Sequence, residues 1–177
     1  MEEIMIKTIL ERKSVRKYTN QNITDEQLHT ILEAAMSGPS ACNARPWSFI
    51  VVRDKEMLEK MADGNGRAAT PLRNANVGIL ICGDLERAIP QAPEYWVVDG
   101  SIAVQNMCLA AHALNIGSVW IGTWPQTEKM NAQKELFNLP ETIIPHSILA
   151  LGFSDDEVSK NKVKKLYEED RGHFEKW

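Results

Sequence analysis

The stretch from Asp99 to Leu114 limits the possible folds of this chain more than any other. Ile102, Ala103, Val104, Met107, Cys108, Leu109, Ala110, Ala111 and Leu114 cover more than one face of a helix. A helix that is apolar nearly all round must be buried on several sides, by its own domain alone or with a partner chain. Asp99 reads as its N-cap, and Asn115 with Gly117 supplies a left-handed exit.

Helices and strands interleave around this element. Residues 3–11 place Ile4, Met5, Thr8 and Ile9 at helical spacing. Thr24 caps the next helix, with Gln27 as its capping-box partner and Ile23 stapled onto Leu28. Its stripe of Leu28, Ile31, Leu32, Ala35 and Met36 ends at Gly38-Pro39. Phe49–Val52 reads as a strand, and Asp54 caps a small helix with Met57, Leu58 and Met61 inward. Val77–Cys82, Ser118–Ile121 and Ser147–Leu151 are further strands, with a polar-faced helix over Glu128–Phe137. Two helices precede any strand, so the class is α+β rather than a regular doubly wound sheet. With 177 residues, 44% of them apolar and 25% charged, the chain suits one domain, 1–177. From Asp155 onward a charged tail ends in Phe174 and Trp177, which implies that it docks on something.

Bulk properties exclude several functions. A net charge of -4 argues against nucleic-acid and anionic-membrane binding. Three cysteines without C-x-x-C spacing read as reduced thiols. No run approaches the ~20 apolar residues of a span, and the acidic N-terminus does not resemble a targeting peptide. A soluble, cytoplasmic protein is expected. His29 and His146 lack companions at metal spacing, so no metal is expected, and His112 reads as a core histidine.

Three segments carry candidate chemistry. Arg12-Lys13-Ser14-Val15-Arg16-Lys17 puts four cations in six positions of an acidic chain. Guanidinium, ammonium and hydroxyl groups at a helix exit suit a dianionic phosphate. Lys160, Lys162, Lys164 and Lys165 form a second basic group, which by itself reads better as a solvated face. Pro39-Ser40-Ala41-Cys42-Asn43-Ala44-Arg45-Pro46-Trp47 is a polar loop between rigid flanks, fit for a planar ligand and equally for a plain connector. Gly117–Thr123 is a strand ending in glycine, where a ring can approach the backbone; alone, it reads as an ordinary strand end. Residues 63–73, around Gly64-Asn65-Gly66, read as an ordinary surface connection rather than the border of a substrate pocket, too weak for a dinucleotide fingerprint.

Taken in order, these motifs resemble the flavin nitroreductase family. R-[RK]-S-x-R starts at Arg12, P-S-x-x-N-x-[QR]-P-W-x-F at Pro39, G-x-x-W-I-G at Gly117, and H-[FY]-x-x-W at His173, spanning nearly the whole chain. The resemblance implies a mostly antiparallel or mixed four-stranded sheet flanked by helices, in an intertwined homodimer with FMN at the interface. The tail, 155–177, would dock on the partner. The activity implied is hydride transfer from NAD(P)H, through flavin N5, to nitroaromatic, quinone or similar electrophiles in a ping-pong sequence. No side-chain nucleophile or base is needed. Related possibilities are a specialised flavin reductase or dehalogenase, and a flavin storage or sensor protein with little turnover.

The resemblance also places residues. Arg12, Lys13 and Ser14 match phosphate and ribityl contacts, and Arg16 matches the cation beside the N1–C2 carbonyl, where it favours the charge left by reduction. Pro39, Ser40, Ala41 and Asn43 match the loop reaching the flavin from the other subunit, with Ser40 and Asn43 orienting the acceptor. Ile121 and Gly122 match the backbone at the dimethylbenzene and N5 edge, and Lys164 with Lys165 the tail's phosphate contact. Arg45 stands in place of the commoner glutamine, Leu166 in place of a tail arginine, and Arg171 and His173 tie down the tail. Trp96 and Trp124, read as loop residues, are candidates to stack on an aromatic acceptor; Trp47 and Trp120 read as core.

Overall fold

Two helices, α1 (Glu2–Glu11) and α2 (Asp25–Met36), precede every strand in the computed structural model, which describes residues 2–154 and 167–177. The start of α2 is fixed locally. The Thr24 hydroxyl accepts from Gln27 N–H at 3.1 Å and Gln27 Oε1 accepts from Thr24 N–H at 3.0 Å, so two otherwise orphaned donors are satisfied. After α2 come β1 (Trp47–Val52), α3 (Lys55–Asn65), β2 (Val77–Asp84), α4 (Tyr95–Ala113), β3 (Gly117–Gly122), α5 (Thr127–Phe137) and β4 (Ile143–Gly152). Asp54 caps α3 through Met57 N–H at 2.9 Å.

The four strands form one antiparallel sheet in the order β1-β2-β4-β3. β2 and β4 lie in the middle and are apolar on both faces, because successive side chains point to opposite sides. Val77, Ile79, Ile81, Leu149 and Leu151 pack beneath α2 and α4. Leu80, Cys82, Ile148 and Ala150 pack against α3 and a 3₁₀ segment, Arg67–Asn74. Most of the expected 63–73 loop is therefore the end of α3 and this 3₁₀ segment, with Ala69, Pro71 and Leu72 buried. Trp47 pairs with Gly83, Asp84 with Ile143, and Gly122 with Ser147. One rim of the sheet thus holds the start of β1, the ends of β2 and β3, and the start of β4.

α4 carries the expected core face: Ala103, Val104, Met107, Cys108 and Ala111 are buried. Its start differs from expectation. The helix begins at Tyr95, so Asp99 is not its cap but a buried residue of the second turn, and Trp96 is helical rather than in a loop. Glu94 precedes it without a side-chain cap, so no N-cap residue marks the true beginning. Asn115 takes the left-handed exit (φ 57°) by itself. Trp120, expected in the core, is exposed, because it points to the sheet face opposite buried Val119 and Ile121, into an open cleft beside His146.

Part of the outer flank of β3, an edge strand, is covered by the chain following α1. Ser14 forms a parallel bridge with Ser118, and Val15 N–H donates to Ser118 O at 2.8 Å. On α1 itself, Met5 (70% exposed), Ile6, Ile9 and Leu10 face outward. Phe174 and Trp177 are also exposed, with the His173 and Trp177 rings 4.4 Å apart. Among the described residues no helix is long and apolar enough to cross a membrane.

Gly83 lets the Trp96 indole pack onto β2: a Cβ there would lie 2.3 Å from the ring. Gly83→Ala should lower unfolding free energy by about 1–3 kcal/mol. Gly122→Ala, which meets nothing within 4 Å, should stay within about 0.5 kcal/mol of the parent. Urea titration of both variants checks the contrast; equal midpoints would remove Trp96 as the constraint.

Candidate functional site

The cationic segment is positioned from below. Val15 is buried and accepts from the Tyr18 hydroxyl at 2.7 Å, so its neighbours Ser14 and Arg16 turn outward along the edge of β3. Arg12 and Lys13 are half-buried where α1 ends. Among the described residues no carboxylate lies in ion-pair range of Arg12, Lys13 or Arg16. Three cations without an ion-pair partner among the described residues, and a hydroxyl, within five residues are a donor set for a phosphorylated ligand.

The far end of β3 is clamped. Asn65 Nδ2 donates to Gly122 O at 3.0 Å, and the Thr123 hydroxyl donates to Asn65 Oδ1 at 2.8 Å; both residues are fully buried. Ile121 faces inward, while space in front of the Gly122 α-carbon is open. A flat ring can meet the backbone there. Asn65 was passed over in the sequence because its partners lie 57 and 58 positions away.

Beside Gly122 is a cleft of about 450 Å³ lined by Val97, Ser101, Trp120, Trp124, His146 and Ser147. His146 Nε2 lies 3.1 Å from Val97 O and 3.2 Å from Ser101 Oγ, and its Nδ1 lies 2.9 Å from Ser147 Oγ. A carbonyl only accepts, so Nε2 carries the proton and the Ser147 hydroxyl donates to Nδ1. Burial pushes the His146 pKa down to about 4, against a smaller opposing effect from Val97 O. The ring is a neutral floor for the aromatic walls. Trp124 is 39% exposed and stands edge-to-face on buried Trp96 at 5.1 Å. Trp96 therefore backs Trp124, and Trp120 lies tilted over His146 at 6.1 Å.

The Pro39–Arg45 loop has unusual backbone. Cys42, Asn43 and Arg45 all have positive φ (49°, 53° and 52°). Asp99 Oδ1 accepts from Ala41 N–H at 3.0 Å, and Ser40 Oγ accepts from Arg45 N–H at 2.9 Å. The Arg45 guanidinium donates to Met36 O at 3.1 Å and sits 5.9 Å over Trp47, so it braces the loop. Pro39 and Asn43 are exposed, with Ser40 and Ala41 half-buried. Asp99 Oδ2 is buried with no hydrogen-bond partner among the described residues.

Within one chain these parts fall into two groups. Arg12, Lys13, Ser14 and Arg16 join Ile121 and Gly122 along β3, with Trp124 and the His146 cleft at its end. Pro39, Ser40, Ala41 and Asn43 precede β1 on the opposite sheet edge. Three strand spacings, about 14 Å, separate those edges. Lys164 and Lys165 lie outside the described residues, as do Lys160, Lys162 and Leu166. No group of His, Cys, Asp and Glu among the described residues is arranged to hold a metal.

The chain is similar to known proteins in sequence and fold. The model of the Nitroreductase family matches residues 9–71 and 65–153. An Archaeoglobus fulgidus protein named "Putative NADH dehydrogenase/NAD(P)H nitroreductase" is 43% identical over 181 residues, covering 100% of both chains. A crystal structure of a Parabacteroides distasonis protein of the same name superposes with a TM-score of 0.89 at 32% identity, covering 98% of this chain and 99% of that one. The crystal structure of a Desulfovibrio desulfuricans protein in complex with FMN gives a TM-score of 0.76 at 30% identity, covering 92% of each chain.

His146 makes stability depend on pH. Its folded pKa, about 4, lies below the ordinary 6.5, so the unfolded chain binds the extra proton and acid favours unfolding. This part of the stability is intact above pH 6.5 and declines as pH falls toward 4. From pH 7 to 5 the loss should be about 2 kcal/mol. Urea midpoints at the two pH values should converge in His146→Gln; an unchanged difference would assign the effect elsewhere.

Proposed function

The chain belongs to the nitroreductase family, and from that premise we propose that it is an FMN-dependent NAD(P)H oxidoreductase acting on nitroaromatic, quinone or similar electrophilic acceptors. The supporting observation is the alignment of Arg12, Lys13 and Arg16, which have no ion-pair partner among the described residues, with the open Gly122 end of the same strand edge. These residues fit a ligand with a phosphate at one end and a flat ring at the other. FMN, when bound, would take up a hydride from NAD(P)H and pass two electrons to the acceptor. The overall balance for a quinone is NAD(P)H + H⁺ + quinone → NAD(P)⁺ + hydroquinone.

This chain's residues have positional tasks in that reading. Arg12, Lys13 and Ser14 hold the phosphate, with Lys164 and Lys165 assigned to the same group. Arg16 sets a fixed positive charge beside the ring carbonyl, where reduction adds negative charge. Ile121 and Gly122 present bare backbone to the ring. The His146 cleft receives reductant and acceptor in turn, because both need the same exposed face, and Trp124, backed by Trp96, is its stacking wall. Ser40 and Asn43 orient the acceptor.

A second copy completes the site. Pro39, Ser40, Ala41 and Asn43 lie across the sheet from the cations of their own chain, so they serve the partner's flavin. The outward apolar face of α1 supplies surface for such a dimer. An obligate interface of this kind buries over ~2,000 Å², and the tail, 155–177, is assigned to the partner as well.

Charge-assisted hydrogen bonds are each worth ~1.5–3 kcal/mol, so Arg12→Ala should weaken FMN binding by about tenfold or more in a flavin-fluorescence titration. Initial rates against both substrates should give parallel reciprocal lines, and Trp124→Ala should raise the aromatic acceptor's KM. A well-folded, dimeric protein that refuses added FMN would overturn the proposal.

A further inference from the structure

Trp124 is a wall common to two clefts. One is the cleft above His146; the other, about 360 Å³, is lined by Leu85, Pro93, Trp96, Met130 and Ile144. The indole lines both and stands edge-to-face on Trp96. Trp96 supports it at 5.1 Å and is itself fixed by Gly83 on one side and by the His146 ring, 5.8 Å away, on another. The second cleft begins where the first ends.

Its chemistry differs from that of the first. Leu85, Pro93, Met130 and Ile144 offer apolar surface, and Asn131 adds one uncharged polar side chain to the lining. The charged side chains in the lining, Glu94 and Lys134, have opposite signs, and Lys134 Nζ already donates to Glu141 O at 3.3 Å. A nucleotide pyrophosphate would need several free cations there. An apolar chain needs none, and gains by leaving water.

We propose that this second cleft holds an apolar arm on the acceptor: the preferred substrate class is a quinone or comparable planar electrophile carrying an alkyl or prenyl chain, with its head against Trp120 and Trp124. The arm passes the Trp124 edge and lies along Met130 and Ile144, chemically unchanged while the head gains two electrons and two protons. This rests on the oxidoreductase reading above, which assigns the first cleft to the acceptor head.

The test compares a benzoquinone bearing a ten-carbon chain with the same ring bearing only methyl groups, using the FMN-loaded protein. The chain should raise kcat/KM at least tenfold, mainly through KM, and tighten binding similarly when followed by tryptophan fluorescence. Met130→Glu and Leu85→Glu should each remove that advantage while leaving the methyl-only quinone's kcat/KM, the FMN content and the melting temperature unchanged. Leu85 is already exposed, so the second variant guards against a folding defect in the first. Equal kcat/KM for the two quinones, or equal loss on both in the variants, overturns the apolar arm and leaves the oxidoreductase reading standing. Failure of every acceptor to reoxidise the NAD(P)H-reduced protein overturns both.

Discussion

The candidate site depends on one strand edge being covered along only part of its length. Edge strands expose unpaired backbone groups and are normally blocked. On β3 the segment after α1 blocks the beginning: Ser14 bridges Ser118, and Val15 N–H takes Ser118 O. The other end is held from inside, because Asn65 satisfies Gly122 O from the α3 side. Between these fixed points no other described residue pairs with the outer flank. The same two contacts also set cations at one end and bare backbone at the other, so the geometry of the candidate site follows from strand pairing rather than from a separate loop.

α4 links this edge to the rest of the molecule. Its later turns fill the core with Ala103, Val104, Met107, Cys108 and Ala111. Its early turns are polar in selected places: Val97 O and Ser101 hold His146, while Asp99 holds Ala41. One rigid element therefore orients both the cleft floor and the loop that begins at Pro39. Sites built on packed helices hold their groups more tightly than sites on loops alone. A helix apolar along most of its length is what the core requires, and the exceptions to that pattern mark its work at the site.

The legible and illegible parts of the sequence differ in the range of the interactions involved. The capping box at Thr24 and Gln27 spans three residues, so α2 was readable from local pattern. β2 and β4 were readable because strands buried on both faces leave continuous apolar runs. The order of the four motifs carried the family. By contrast, α4 starts without an N-cap residue, and Asp99 imitates one ahead of the apolar run. The role of His146 depends on Val97 and Ser101, which are 49 and 45 positions away. Trp120 looked like core because alternation along a strand does not reveal which face is left uncovered. Such long-range contacts leave no periodic trace.

The Pro39–Arg45 loop gives the clearest physical sign that this region is shaped for something other than connection. Asparagine tolerates left-handed backbone, so Asn43 adds little strain, but Cys42 and Arg45 have no such excuse. Residues in these regions cost about 1–3 kcal/mol each and persist only where neighbours overdetermine them. Here the neighbours are evident: Asp99 on Ala41, Ser40 on Arg45 N–H, and Met36 O on the guanidinium. Ala41–Asn43 themselves are not buried, so core packing at these residues does not demand the strained backbone. Holding that conformation against its strain, with a buried carboxylate assigned to the task, makes sense if the loop must present Ser40 and Asn43 in a fixed pose beyond its own chain. The proposed reach into a partner's flavin site supplies that requirement.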